Sequence, residues 1–225
     1  MWGKDFIFMD GFEIPSGLWN IGPDPSDYID TPWGKGFDGS KTLYRYFDDA
    51  LWNSEFWIGF HIKPRGLDAG SGATRAIVDF RSDYAYLSTR YPVINPMLLT
   101  IAMSGSGTLR VDYLASKGLF ASSGYMIGAE TFEADQWNHF MAKAQISPIY
   151  IGDDTFIRFY TSVYKNNNLV FEDESAILSP YTGFAGVTSF LKWDGFRIAP
   201  TTGIYQYDNV WVSHNGPKGD LIANN

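Results

Sequence analysis

Apolar residues recur at every second position along much of this chain. Phe56, Ile58, Phe60 and Ile62 fall on one side of an extended segment, and Trp57, Gly59, His61 and Lys63 fall on the other. That period of two marks a strand with one face in a core. The same alternation returns at Phe140, Ala142, Ala144 and Ile146, in a run opened by Trp137. Shorter apolar runs at 6–13, 42–47, 76–80, 97–103, 108–113, 155–164, 169–172, 193–198 and 204–213 also read as strands. Ser104-Gly105-Ser106-Gly107 separates one pair of runs and Lys165-Asn166-Asn167-Asn168 another. Both predict hairpins, because glycine and asparagine tolerate the positive φ of tight turns. Residues 14–40 contain Pro15, Pro23, Pro25 and Pro32 among glycines, and read as a long irregular surface loop punctuated by Trp19 and Trp33. No long segment carries a 3.6-residue apolar period. The expected fold class is all-β, a two-sheet antiparallel jelly-roll sandwich. It is expected to form one domain over 1–213, with a polar tail at 214–225.

Composition narrows the chemistry. With 225 residues, 45% hydrophobic and 17% aromatic, the chain can bury a large core without covalent staples. It has no cysteine, which removes thiol catalysis, Cys-ligated zinc, iron–sulfur clusters and disulfides together. A net charge of −8 argues against nucleic acid, whose affinity rests on Lys and Arg releasing counterions. The first residues lack a signal-peptide pattern, and no apolar stretch reaches membrane-spanning length, so neither export by a leader nor membrane insertion is expected.

The opening and closing runs each carry carboxylates where a merely buried strand needs none: Asp10 and Glu13 in one, Asp208 in the other. Counting by twos from Val210 and Val212 turns Asp208 toward the core. An unsatisfied carboxylate there is costly, so backbone N–H groups, an arginine or a cation must meet it. If the first and last strands lie side by side, one site can serve all three acids. A glycosidase needs two carboxylates flanking the sugar bond. The nearest candidate is Glu172-Asp173-Glu174, which reads better as a solvated hairpin end. His61 and His139 lie on the non-core faces of their strands and can be neighbours, while His214 stands apart. Trp33, Trp57, Tyr84, Tyr86 and Trp193 are the aromatics expected to contact a glycan or a protein partner.

Three residue groups carry a family resemblance. They are Met9-Asp10-Gly11-Phe12-Glu13 followed by Pro15-Ser16-Gly17-Leu18-Trp19, then Trp137-Asn138-His139-Phe140, and last Tyr207-Asp208-Asn209-Val210-Trp211-Val212. In this order they resemble the concanavalin A-like lectin/glucanase jelly rolls, and among them the laminin-G-like domains of bacteriophage structural proteins. The resemblance implies that Asp10, Glu13 and Asp208 match positions that hold a structural Ca2+ in related jelly rolls, an ion suited to oxygen ligands. No other cofactor is implied. The expected function is a non-enzymatic virion structural protein, made in the host cytoplasm, serving in capsid decoration or in a tail or fibre. Its partners would be other virion proteins, further copies of itself and a host-surface glycan, with docking surface around 14–40 and 82–97. The alternatives are a carbohydrate-binding module or lectin and, behind it, a glycoside hydrolase.

Overall fold

The computed structural model describes residues 6–14, 17–52, 55–67, 73–81, 97–113, 124–152, 154–173, 177–178 and 192–214. Two sheets account for its strands. The larger runs in spatial order β12 (Asn168–Asp173), β11 (Asp154–Lys165), β10 (Asn138–Ile151), β5 (Glu55–Pro64), β15 (Tyr205–Ser213), β3 (Gly34–Phe37) and β2 (Tyr28–Thr31). The strand β1 (Phe6–Asp10) also pairs with β15, and β13 (Ile177–Leu178) pairs with β11. The smaller sheet runs β4 (Leu43–Trp52), β14 (Lys192–Ile198), β6 (Thr74–Arg81), β7 (Met97–Ser104), β8 (Thr108–Tyr113) and β9 (Gly124–Thr131). Every strand pair is antiparallel. The protein is an all-β sandwich, and no helix among the described residues is long and apolar enough to cross a membrane.

The alternating residues meet between the sheets. Phe56, Ile58, Phe60 and Ile62 of β5 and Phe140, Ala142 and Ala144 of β10 are fully buried in one cluster with Val78 and Phe80 of β6 and Phe196 and Ile198 of β14. Phe56 meets Phe80 edge-on at 5.1 Å, and Phe60 stacks on Phe140 at 4.7 Å. Two tyrosines of β15 tie the layers together. The Tyr205 hydroxyl donates to the Arg75 carbonyl at 2.8 Å and the Tyr207 hydroxyl to the Ile77 carbonyl at 2.9 Å, both on the opposite sheet. Burial pushes both phenols above their ordinary range. Both expected hairpins are present. Asn166 and Asn167 turn at φ 50° and 66° between β11 and β12, and Gly107 turns at φ 83° between β7 and β8. The first and last strands do lie side by side, with Asp10 opposite Val210.

The expectation of an irregular loop at 14–40 needs correction. Residues 28–37 form a short hairpin, β2–β3, that extends the larger sheet beside β15. Its alternation is hidden because Gly34 and Gly36 occupy positions where side chains would mark the pattern. At Gly36 a Cβ would stand 2.7 Å from the Tyr207 carbonyl, so only glycine lets β3 approach β15 this closely. Trp19, read as loop punctuation, is buried against Phe8 at 4.8 Å and closes one end of the core.

Candidate binding face

The outer face of the larger sheet is where the polar and aromatic residues of interest converge, and a backbone irregularity sets its composition. In β15, Asp208 pairs with His61 and Trp211 with Gly59, so two residues oppose one and the ladder shifts. Asn209, at φ 51°, forms this bulge. Counting by twos across a bulge gives the wrong face. Tyr207, Val210 and Val212 point into the core, whereas Trp211 joins Trp57 and Met141 in a second, smaller cluster on the other side. Asp208 therefore does not share a face with Val210 and Val212. It lies beside His61 on the outer face.

Around Asp208 a polar floor forms. His139, His61 and Asp208 are consecutive cross-strand partners on β10, β5 and β15, and the imidazole centroids stand 5.3 Å apart. The expectation that the two histidines are neighbours holds. Trp33, in the β2–β3 turn, lays its ring over His61 at 4.1 Å and meets Trp137 edge-on at 5.5 Å. Asp208, 1% exposed, accepts the Thr31 hydroxyl on Oδ2 at 2.6 Å and the Asn209 backbone N–H on Oδ1 at 2.7 Å. Burial pushes its carboxyl up to about 6. The two hydrogen bonds pull the other way, and the charges of Glu13 and Asp10 add to the rise.

Further along the same face lies a second aromatic group. Trp211 covers Gly59 so closely that a Cβ there would stand 2.4 Å from its ring. Trp57 stands 5.7 Å from Tyr164, and its indole N–H donates to Glu55, which also pairs with Lys143 at 3.3 Å. Trp57 and His61 are four residues apart on β5, roughly 13 Å at the rise of a strand. Trp33 and Trp137 are half-buried, whereas Trp57 and Trp211 are buried with Tyr164 half-buried against them, so the aromatic surface of this face lies at the Trp33 end.

Of the aromatics singled out in the sequence, Trp33 and Trp57 are brought onto this one face. Trp193 falls in β14 opposite Leu51, on the other sheet. Tyr84, Tyr86, Glu174 and the docking stretch 82–96 lie outside the described residues. Trp137, Trp211 and Asn166 were missed as members of this face. Asn166 accepts the His139 N–H at 2.9 Å and donates to the Asn138 side chain at 3.2 Å, bracing the histidine floor from the β11–β12 turn. Its place was foreseeable only as a turn residue.

The three acids matched to a calcium site are in the same neighbourhood but separately engaged. Asp10 accepts the Trp19 indole N–H at 2.7 Å and the Phe12 backbone N–H at 2.8 Å. Glu13 is exposed and accepts the Lys35 N–H at 3.3 Å. Among the described residues, no group of three or more His, Asp or Glu stands close enough to hold a metal ion.

No protein-family model and no curated protein sequence matches the chain. Solved structures do. A candidate glycosyl hydrolase from Parabacteroides distasonis superposes with a TM-score of 0.50 at 10% identity, over 94% of this chain and 84% of that one. The binding domain of botulinum neurotoxin serotype D/C superposes with a TM-score of 0.50 at 10% identity, over 95% of this chain and 45% of that one. A Trypanosoma rangeli sialidase matches at 15% identity with a TM-score of 0.49, and the chain spans only 27% of its length. These likenesses are of architecture, and the architecture they share is the β-sandwich.

Proposed function

We propose that this is a non-enzymatic binding protein whose outer face on the larger sheet takes a glycan. The observation that carries the reading is the grouping of the half-buried Trp33 and Trp137 over His61, His139 and Asp208 at one end of that face. Sugars present C–H faces that stack on aromatic rings and hydroxyls that need fixed polar partners. Sites for such ligands combine apolar walls with a few placed polar groups. The structural neighbours include proteins described as a glycosyl hydrolase and as a neurotoxin binding domain, which fits a glycan or receptor ligand.

Hydrolysis is the competing reading. Glycosidic cleavage asks for two carboxyl groups within about 10 Å. Glu55 lies six residues along β5 from His61, the partner of Asp208, roughly 20 Å, whereas Glu13 and Asp10 stand close enough to raise the Asp208 carboxyl. Asp208 is bonded to Thr31 and Asn209 and Asp10 to Trp19 and Phe12, so release of reducing sugar has to be assayed beside binding. A glycan array on the wild type and on Trp33→Ala and Trp137→Ala tests the reading. Selective binding that weakens in both variants without release of reducing sugar supports it. Silence across the array removes it.

A second reading has its own observation. Leu18, Ile21 and Tyr46 are 43%, 52% and 44% exposed; the Leu18 carbonyl accepts from Arg45 and Ile21 bridges to Tyr44 on β4, the outermost strand of the smaller sheet. Large apolar side chains gathered at a sheet edge suit protein contact. This is the contact expected of a bacteriophage structural protein that packs against other virion proteins or its own copies, with the glycan face giving adhesion to a host surface. Sedimentation of wild type and Ile21→Asp separates the cases: association lost in the variant supports assembly through this edge, and a monomer at all concentrations counts against self-assembly.

A further inference from the structure

The β2–β3 hairpin is fastened unevenly. Its root belongs to the core: Phe37 is fully buried, the Asp38 N–H donates to the Asp27 carbonyl at 2.9 Å, and Gly39 backs so closely on β15 that a Cβ would stand 1.9 Å from the Tyr205 carbonyl. Toward the tip, the ladder to β15 is a single register pair, Tyr207 with Phe37. Beyond that pair the described contacts are few: Thr31 to Asp208, the Lys35 N–H to Glu13, and the Trp33 ring on His61 and Trp137. Gly34, at φ 134°, holds a tip conformation that other residue types rarely adopt. Underneath lie three polar side chains that are almost wholly hidden, His61 and His139 at 3% exposure and Asp208 at 1%.

We propose that the hairpin tip is a strap that lifts to admit a sugar ring onto the His61–His139 floor, the ring stacking on Trp33 or Trp137 and a sugar hydroxyl replacing that of Thr31 on Asp208. This rests on the reading of the face as a glycan site and adds how the site is reached. The closed strap hides polar groups that suit hydroxyls beneath the half-buried Trp33 and Trp137. A hydroxyl from the ligand is a like-for-like exchange for the Thr31 hydroxyl, so opening with ligand present leaves the carboxylate satisfied. Opening without ligand gives it to water.

That exchange makes closure depend on pH. The charged and titratable groups on the surrounding elements are His61 and Lys63 on β5, His139 on β10, Lys35 on β3, Asp30 on β2, and Asp10 and Glu13 at the end of β1. Lys35 is paired with Asp30. Closed, Asp208 is held at about 6, chiefly by burial; lifted into water it returns toward the ordinary aspartate range. The closed form therefore binds the proton more tightly. Closure is strongest below the ordinary range and weakens as pH rises through about 6, the closed-to-open ratio falling by up to about a hundredfold.

The test needs no ligand, so it stands or falls separately from the glycan array. The full chain is labelled with 5-fluorotryptophan, and the Trp33 fluorine resonance is assigned by its loss in Trp33→Phe. The expected result is that this resonance shifts and becomes more accessible to a soluble quencher between about pH 5 and about pH 8, following the titration of Asp208. Asp208→Asn should hold it in the closed position at both. Thr31→Val, which removes the hydroxyl and leaves the carboxyl, should make it accessible at both. A Trp33 resonance that does not move with pH overturns the strap, and so does a step that persists in Asp208→Asn.

Discussion

Replacing Asp208 with asparagine should stabilise the protein at alkaline pH and destabilise it slightly in acid. In the fold the carboxyl is raised from 3.8 to about 6, with burial the largest cause. A raised acid contributes stability that is fully present below its unfolded value and lost as pH rises through its folded value. At about 1.4 kcal/mol per pH unit, the wild type loses roughly 3 kcal/mol from this group between pH 4 and pH 8, taken as an upper bound. Asparagine does not titrate. Its carbonyl can accept the Asn209 N–H, and its amide can donate to Thr31 Oγ1, which already accepts the Trp33 N–H at 3.2 Å. Putting asparagine in place of the protonated acid exchanges neutral bonds for neutral bonds at a cost of about 1 kcal/mol, and the charge-assisted bonds of the ionised form are already counted in the raised value. Asp208→Asn should therefore be about 2 kcal/mol more stable than wild type near pH 8 and about 1 kcal/mol less stable near pH 4. In melting temperature that is roughly 2–4 °C per kcal/mol for a chain of this size. Urea denaturation of both proteins at the two pH values measures the difference directly. A difference that is flat with pH, or that favours the wild type more as pH rises, refutes the claim that Asp208 is a buried carboxylate in the folded state.

Other substitutions probe the frame around the face. Arg197→Met leaves Asp79, fully buried and bonded to Arg197 and to Thr100, without its cation; denaturation should show a loss of about 3–5 kcal/mol, mostly restored when Asp79→Asn is added. Gly59→Ala drives a methyl into the Trp211 ring and should cost about 1–3 kcal/mol, with a changed near-ultraviolet circular dichroism spectrum reporting the displaced indole. Chelation should leave the melting temperature within about a degree, because a bound ion would add stability in proportion to its occupancy, and Asp10 and Asp208 already have hydrogen-bond donors on both oxygens. A fall of several degrees that calcium reverses would instead restore the site matched to Asp10, Glu13 and Asp208.

Much of the fold can be read from period two alone. The β5 and β10 core faces and both hairpin turns follow from residues whose chemistry is local: Phe56 to Ile62, Asn166 with Asn167, Ser104 to Gly107; the pairing of the first strand with the last stood only as a condition for Asp10, Glu13 and Asp208 to share a site, and the structure meets that condition. The misreadings occur where tertiary contact sets the pattern. The β2–β3 hairpin is glycine-rich because the Tyr207 carbonyl leaves no room at Gly36, and such crowding has no signature in the strand itself. The face of Asp208 was misjudged for a different reason. A bulge costs one residue of register, and Asn209 before Val210 is a weak cue, asparagine being merely tolerant of the φ that the bulge imposes. The histidine floor was visible as a shared face of two strands, but Trp33 above it was not, since nothing in a turn sequence says which way the turn folds.

That one-residue bulge decides what kind of group Asp208 is. In an unbroken strand Asp208 and Trp211, three residues apart, would face opposite sides of the sheet. The extra residue at Asn209 puts both on the side where His61 and His139 lie, with Trp211 over Gly59, filling the gap that a glycine leaves in the middle of β5. Both ends of the outer face thus depend on a single irregularity, one through the acid it places there and one through the indole that packs over Gly59. The bulge also supplies the Asn209 N–H that holds Asp208 Oδ1, so the feature that exposes the carboxylate to this face also fixes its direction. The strap then needs only one hydroxyl, that of Thr31, to close over it. A hydroxyl is the group a sugar can best imitate, and for that reason the Thr31–Asp208 bond, rather than the aromatic stack above it, is where ligand and protein compete.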